Sequence, residues 1–267
     1  MYKIGFIGTG NMGGALAKAA ARTISSESMV LSNRSRVKAE VLANQLGCSV
    51  SDNHSVAAES EYIVLAVKPQ MMETMLSGIK EVLRQRTDCF VLVTIAAGLS
   101  MEKIQKLSGG DYPVIRIMPN TPCSIGSGVV LACRNSLVSD GEFSDFKTIL
   151  GGAGTFVDLE EHLIDAGGSL SGCGPAFVYT FIEAMADAGV ACGLTRSDSQ
   201  KLAAATVLGS ADMVMKSGKH PAELRDNVCS PGGSTIAGVL SLENDGFRAA
   251  VENCILASYE KNKDLGK

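Results

Sequence analysis

Lys3-Ile4-Gly5-Phe6-Ile7-Gly8-Thr9-Gly10-Asn11-Met12-Gly13 decides the fold of this chain. A short β-rich run, residues 3–7, feeds a G-x-G-x-x-G turn that opens a helix predicted over residues 11–22. A strand before the glycines and a helix after them is the context that a dinucleotide-binding turn requires. In such a turn Gly8 bends the chain, Gly10 lets the backbone approach a pyrophosphate, and Gly13 lets the helix pack on the strand.

Beyond this turn, near-continuous apolar runs recur at residues 29–32, 62–67, 89–95 and 114–118. Runs of this kind suit strands buried on both faces of a parallel sheet. Helical patterns over 71–86 and 101–107 alternate with them, which predicts a doubly wound α/β domain. Two further strands are predicted at 128–133 and 155–159, with a helix over 140–150 between them. From about Glu161 strand signals stop and Ala-rich helices take over. Gly174-Pro175 starts a helix that runs to about residue 192. Thr195 and Asp198 have capping-box spacing for the next, which ends near residue 216. Helices over 221–227, 235–242 and 247–263 follow. Small residues such as Ala203-Ala204-Ala205 and Gly209-Ser210-Ala211 suit a helical core or a subunit interface. The expected division is a Rossmann-like domain over 1–160 and an all-α domain over 161–267.

The end of the second strand bears on the cofactor. An NAD site usually carries an acid there for the ribose 2′-hydroxyl. This chain has Asn33-Arg34-Ser35-Arg36, beginning 20 residues after Gly13. Two guanidiniums and a hydroxyl favour a 2′-phosphate, hence NADPH, with NADH as the alternative. Arg34 and Arg36 also read as solvated residues at a helix start. Three other strand ends, Ala66-Val67-Lys68-Pro69, Ile95-Ala96-Ala97-Gly98 and Met118-Pro119-Asn120-Thr121-Pro122, are expected to wall the nicotinamide.

A second informative stretch is Asp226-Asn227-Val228-Cys229-Ser230-Pro231-Gly232-Gly233-Ser234-Thr235. Pro and paired Gly stop one helix, and Ser234 and Thr235 open the next. Free amides at such a helix start bind an anion. No Lys or Arg occurs from Asp226 through Phe247, so a carboxylate held here can belong to a cationic molecule.

The 267 residues are 46% hydrophobic and 19% charged, the composition of a globular protein. A net charge of -4 argues against a nucleic-acid partner. No apolar run reaches membrane-spanning length, and no signal peptide is expected before the first strand. Eight cysteines lie scattered without a C-x-x-C pair, and three histidines lack metal-ligand spacing. Reduced thiols, a cytoplasmic setting and no metal are the expectation.

With both ends described, the chain closely resembles the Δ1-pyrroline-5-carboxylate reductase family over essentially its full length. The resemblance rests on Gly5–Met12, Ala66–Pro69, Met118–Pro122, Leu170–Ala176 and above all Asp226–Thr235. It implies hydride transfer from NAD(P)H to C5 of the cyclic imine 1-pyrroline-5-carboxylate, giving L-proline. It implies a helical dimerisation domain, helices of the partner at the active site, and dimers that assemble further into rings. Carried over residue by residue, Thr235 stands near the imine nitrogen as the catalytic hydroxyl. Ser234 and Thr235 amides stand at the substrate carboxylate, with Gly233 and Ser230 beside them, and Glu161 matches a proline-ligand position. Gly8, Thr9, Gly10, Asn11, Met12, Asn53 and Asn227 match cofactor positions. Cys173 and Cys229 stand where relatives have Ser, so no hydroxyl acts there.

Hydride addition to a protonated iminium gives a neutral amine directly, so the site needs orientation and a hydrogen-bond partner at nitrogen. Thr235 also reads as a simple N-cap. A β-hydroxyacid dehydrogenase would share the two-domain plan, yet it is expected to carry a catalytic Lys on the helix after residue 174, which has none. A dinucleotide-sensing protein without turnover would have no use for the Pro-Gly loop.

Overall fold

The computed structural model describes residues 1–265; the last two residues of the expected helical domain lie outside them. The chain forms two compact units, 1–173 joined by the segment from residue 258 on, and 174–257.

The first unit is built on one eight-stranded sheet. Its strands are β1 (Tyr2–Ile7), β2 (Met29–Ser32), β3 (Ser49–Val50), β4 (Ser60–Leu65), β5 (Val91–Thr94), β6 (Val114–Pro119), β7 (Gly128–Arg134) and β8 (Gly154–Asp158). Their order is β3-β2-β1-β4-β5-β6-β7-β8. The chain therefore steps outward from β1 to β3, then restarts on the other side of β1 with β4. This reversal leaves a crevice beyond the carboxyl ends of β1 and β4, where open α/β sheets bind ligands. Every neighbouring pair is parallel except β6 and β7. A 3-10 turn, Thr121–Ile125, joins those two where a crossover helix would be needed to keep them parallel.

Seven helices cover the sheet: α1 (Asn11–Ala20), α2 (Arg36–Leu46), α3 (Asn53–Glu59), α4 (Pro69–Gln85), α5 (Met101–Ser108), α6 (Asp140–Ile149) and α7 (Ile164–Ser171). Alternation along each strand sorts the core in two. Ile4, Phe6, Tyr62, Val64, Ile115 and Ile117 pack with α1, α2 and α6. Ile7, Ile63, Leu65, Leu92, Val114 and Leu131 pack with α3, α4, α5 and α7. Burial on both faces explains the unbroken apolar runs, each large side chain contributing about 1.5–3 kcal/mol. Tyr62 reaches through the core so that its hydroxyl donates to the carbonyl of Glu142 at 2.8 Å and lies 2.9 Å from Asp145 Oδ2.

The second unit is helical: α8 (Gly174–Ala191), α9 (Arg196–Ser217), α10 (Pro221–Val228), α11 (Ser234–Asn244) and most of α12 (Phe247–Leu265). Thr195 caps α9, its hydroxyl accepting from Asp198 N–H. α8 and α9 approach closely where Gly189 meets Ser199, with Ala186 and Ala203 buried. Elsewhere large apolar side chains, among them Tyr179, Leu202, Leu208, Met213, Leu240 and Leu256, stay exposed. The last turns of α12 belong to the first unit, where Asn262 Nδ2 donates to Ser169 Oγ at 2.9 Å. No helix of the described residues is long and apolar enough to cross a membrane.

Candidate active site

The glycine-rich turn follows from backbone geometry. Gly8 has φ +109°, and a Cβ there would stand 2.4 Å from the carbonyl oxygen of Ala66. A Cβ on Gly13 would stand 2.2 Å from the carbonyl oxygen of Gly8, so only glycine lets α1 settle on the turn. A Cβ added to Gly10 would meet nothing within 4 Å, which leaves room for a ligand. Gly10 is the N-cap of α1 and brings no side-chain bond. Among the described residues the amides of Asn11, Met12 and Gly13 find no acceptor. Free amides at the positive end of a helix could hold an anion. Thr9 N–H donates to Asn33 Oδ1 at 3.2 Å, and the buried Thr9 hydroxyl has no partner among the described residues.

The end of β2 is tied in through the same Asn33, whose Nδ2 donates to Ser35 carbonyl at 3.0 Å. Ser32 Oγ donates to Asn53 Oδ1 at 2.7 Å, which fixes the first residue of α3. Arg34, Ser35 and Arg36 are exposed. Arg36 pairs with Glu40 at 2.8 Å, whereas Arg34 has no ion pair among the described residues. Ser35 is the N-cap of α2, yet its side chain makes no capping bond. No carboxylate occupies residues 33–36, so these residues fit a 2′-phosphate.

The remaining strand ends line the same edge of the sheet. Ala66 and Val67 are half-buried, exposed Lys68 is the N-cap of α4, and Pro69 opens that helix. Ala96 is buried, its amide donating to Thr94 Oγ1 at 3.2 Å, and Ala97 is half-buried. Asn120 is buried, and its carboxamide serves the chain itself. Its Oδ1 accepts from Val129 N–H at 2.9 Å, and its Nδ2 donates to Ser171 carbonyl at 2.9 Å. Glu161 is likewise engaged: Oε1 accepts from Met101 N–H at 2.7 Å and lies 3.5 Å from Arg116 Nη1. Burial, with the charge of Glu161 adding to it, pushes the neighbouring Cys133 thiol up to about 11.

In the second unit the Pro-Gly loop makes a tight turn between α10 and α11. Cys229 N–H donates to Asp226 carbonyl at 3.0 Å, and Gly233 N–H to Ser230 carbonyl at 3.0 Å. Gly232 has φ +70°. Ser230 Oγ lies where a Cβ on Gly233 would come within 2.4 Å. Gly233 is the N-cap of α11, without a side-chain bond. Ser234 and Thr235 open α11 as expected, both in its first turn rather than at the cap. The amides of Ser234, Thr235 and Ile236 find no acceptor among the described residues, and neither do the exposed hydroxyls of Ser234 and Thr235 a partner. Asn227 is exposed on α10. The flanking cations are neutralised, Arg225 on Asp226 at 2.7 Å and Arg248 on Glu243 at 2.8 Å. The turn thus offers amides and hydroxyls, and both arginines that flank it, Arg225 and Arg248, are paired.

The sequence-predicted residues fall into two groups, each assembled within its own unit: the cofactor strand ends with Glu161, and Asn227 through Thr235. Sequence reading missed Arg116, Asp165 and the Ser171 carbonyl. The signal for the first was an Arg inside an otherwise apolar run, Val114-Ile115-Arg116-Ile117-Met118.

Residues 161–265 match the family model described as pyrroline-5-carboxylate reductase dimerisation, and residues 3–98 match that of NADP oxidoreductase, coenzyme F420-dependent. The pyrroline-5-carboxylate reductase of Escherichia coli is 39% identical over 269 residues, covering 99% of this chain and 98% of that protein. That of Synechocystis is 38% identical over 268 residues, with 99% and 98% covered. The crystal structure of Plasmodium falciparum pyrroline carboxylate reductase with NADP bound superposes with a TM-score of 0.88 at 36% identity, covering 100% of this chain and 98% of that one. A glycine-rich turn at one end, a Pro-Gly helix start with free amides at the other, and similarity along the whole length between them make this chain a member of the pyrroline-5-carboxylate reductase family.

Proposed function

We propose that this chain reduces 1-pyrroline-5-carboxylate to L-proline with NADPH, the last step of proline biosynthesis. The observation that carries the substrate half is the start of α11: three free amides and a free Thr235 hydroxyl with no unpaired cation beside them. On this reading the Ser234 and Thr235 amides hold the carboxylate, and Ser230 and Gly233 shape the turn. Thr235 Oγ1 accepts from the protonated imine nitrogen and keeps a hydrogen bond as the amine forms. Because α11 is capped by Gly233, that hydroxyl is not engaged by the helix.

On the cofactor side, bound NADPH supplies the hydride that ends on C5, while the proton on nitrogen is already present in the iminium. The amides of Asn11, Met12 and Gly13 would hold the pyrophosphate, and Arg34 with Ser35 and Arg36 the 2′-phosphate. Asn53, Asn227 and the strand ends at Ala66–Pro69, Ala96-Ala97 and Asn120 complete the cofactor site, Asn120 as a frame for the backbone around it. Arg34 without an ion pair supports NADPH over NADH. Glu161, engaged on Met101 and Arg116, acts near the substrate by placement and charge.

The exposed apolar side chains of the second unit support a homodimer through these helices. Eight free thiols support a cytoplasmic setting. One assay tests the reading. Protein, NADPH and pyrroline-5-carboxylate are mixed, and loss of absorbance at the reduced nicotinamide band is followed with proline formation. Stoichiometric proline is expected; NADPH binding without proline would overturn the reading.

A further inference from the structure

Arg116 is buried on β6, its side chain 4% exposed. It lies between Val114 and Met118 on the sheet face that packs against α5 and α7. Nη2 donates to Asp165 Oδ1 at 2.7 Å, and Nη1 stands 3.5 Å from Glu161 Oε1. Its Nε–H has no partner among the described residues. Folding alone gives little reason for such a cluster, since apolar replacements of buried ion pairs are often neutral or stabilising.

What the cluster does is fasten loops. Glu161 accepts from the amide of Met101, the first residue of α5, and so closes the loop over residues 95–100 that leaves the end of β5. Asp165 lies in the first turn of α7. At the other end of α7 the Ser171 carbonyl takes the hydrogen bond from Asn120, in the loop that leaves β6. Residues 161–171 therefore tie the two loops together, and Arg116 ties residues 161–171 to the sheet. We infer that Arg116 is a positioning residue for the nicotinamide half of the site: through Glu161 and Asp165 it sets the loops over 95–100 and 119–122 against which the ring lies. This rests on the reading of those strand ends as the nicotinamide wall. Displacing a wall by about 1 Å is enough to lower turnover a hundredfold.

The test is the paired variant R116M/D165N, which removes a cation and an anion together. Melting temperature, NADPH affinity, the emission of bound NADPH and steady-state rates are measured beside the wild type. Tm within a few degrees, NADPH Kd within twofold, altered emission and kcat at least tenfold lower are expected. A larger isotope effect with NADPH deuterated at the transferred position is expected as well. Wild-type emission and kcat in the folded variant would overturn the inference, as would NADPH Kd or Tm collapsing in step with kcat. Should the double variant not fold, R116K carries the test. A kcat at least threefold lower at unchanged Kd supports the role, and wild-type kcat and emission overturn it. If the wild type itself turns over no pyrroline-5-carboxylate, the reductase reading fails, while the emission of bound NADPH still reads the placement of the ring.

Discussion

The α-carbon of Gly13 lies so close to Gly8 that an added Cβ would stand 2.2 Å from the Gly8 carbonyl oxygen and 2.8 Å from the Cβ of Ala66. A backbone oxygen cannot swing aside, so G13A forces α1 off the turn, at a cost of about 1–3 kcal/mol. The expected outcome is a Tm several degrees lower and an NADPH Kd at least tenfold higher. G10A separates fold from ligand, because Gly10 has open space around it. It should melt like the wild type and lose affinity by isothermal titration.

Arg34 is the test of cofactor choice. One charge-assisted contact to a phosphate is worth about 1.5–3 kcal/mol. R34A should therefore raise the NADPH Kd by about tenfold or more and leave that of NADH unchanged. R36A should do less, since Arg36 is already shared with Glu40. Parallel titrations with the two cofactors decide it.

Thr235 combines a proposed reaction role with little structural duty. Gly233 caps α11, so T235A removes no helix cap. Tm should stay within a degree or two while kcat/KM for the imine falls about a hundredfold, the scale of one lost transition-state hydrogen bond. T235S, which keeps the hydroxyl, should recover most of the activity. Wild-type kcat/KM in T235A would refute the assignment.

Thiol reactivity should follow burial. Cys89 and Cys192 are exposed, whereas Cys133 is buried with its thiol pushed up to about 11. At pH 8 an aromatic disulfide reagent should label the first two in minutes, and Cys133 only on global unfolding. Peptide mapping of the labelled protein reads this directly.

Acid stability has a definite sign at Asp52. Its carboxylate caps α3 by accepting from Ser55 N–H at 2.8 Å, and that bond holds its pKa below the usual range. A depressed folded value means the contribution is complete above about pH 4 and is lost as pH falls through the folded pKa. D52A should lower stability at pH 7 and flatten its fall below about pH 4, as denaturant titrations in acid would show.

What was legible in the sequence had a local cause. The turn at Gly8–Gly13, the apolar strands and the arrest of α10 before the Pro-Gly loop all follow from neighbouring residues. What escaped depended on distant partners. α7 contains Gly167 and Gly168, poor helix formers, and they are there because Leu131 and Met118 press against them. β3 has two residues and pairs only because β2 lies alongside. The reversal at β7 is set by the length of the turn before it. The bond from the Asn120 carboxamide to the Ser171 carbonyl likewise joins residues far apart in the chain. Arg116 cannot be assigned without Glu161 and Asp165, which lie more than forty residues further along the chain.

The return of α12 to the first unit also bears on how the molecule is made. The sheet and α1 through α7 are synthesised first, yet the segment whose Asn262 covers Ser169 emerges only after residues 174–257. Ser169 is fully buried in the finished fold. On the ribosome that surface waits uncovered while the whole helical unit is translated. Completion of the nucleotide-binding unit is thereby a late event in biogenesis, timed by the helical unit inserted within it.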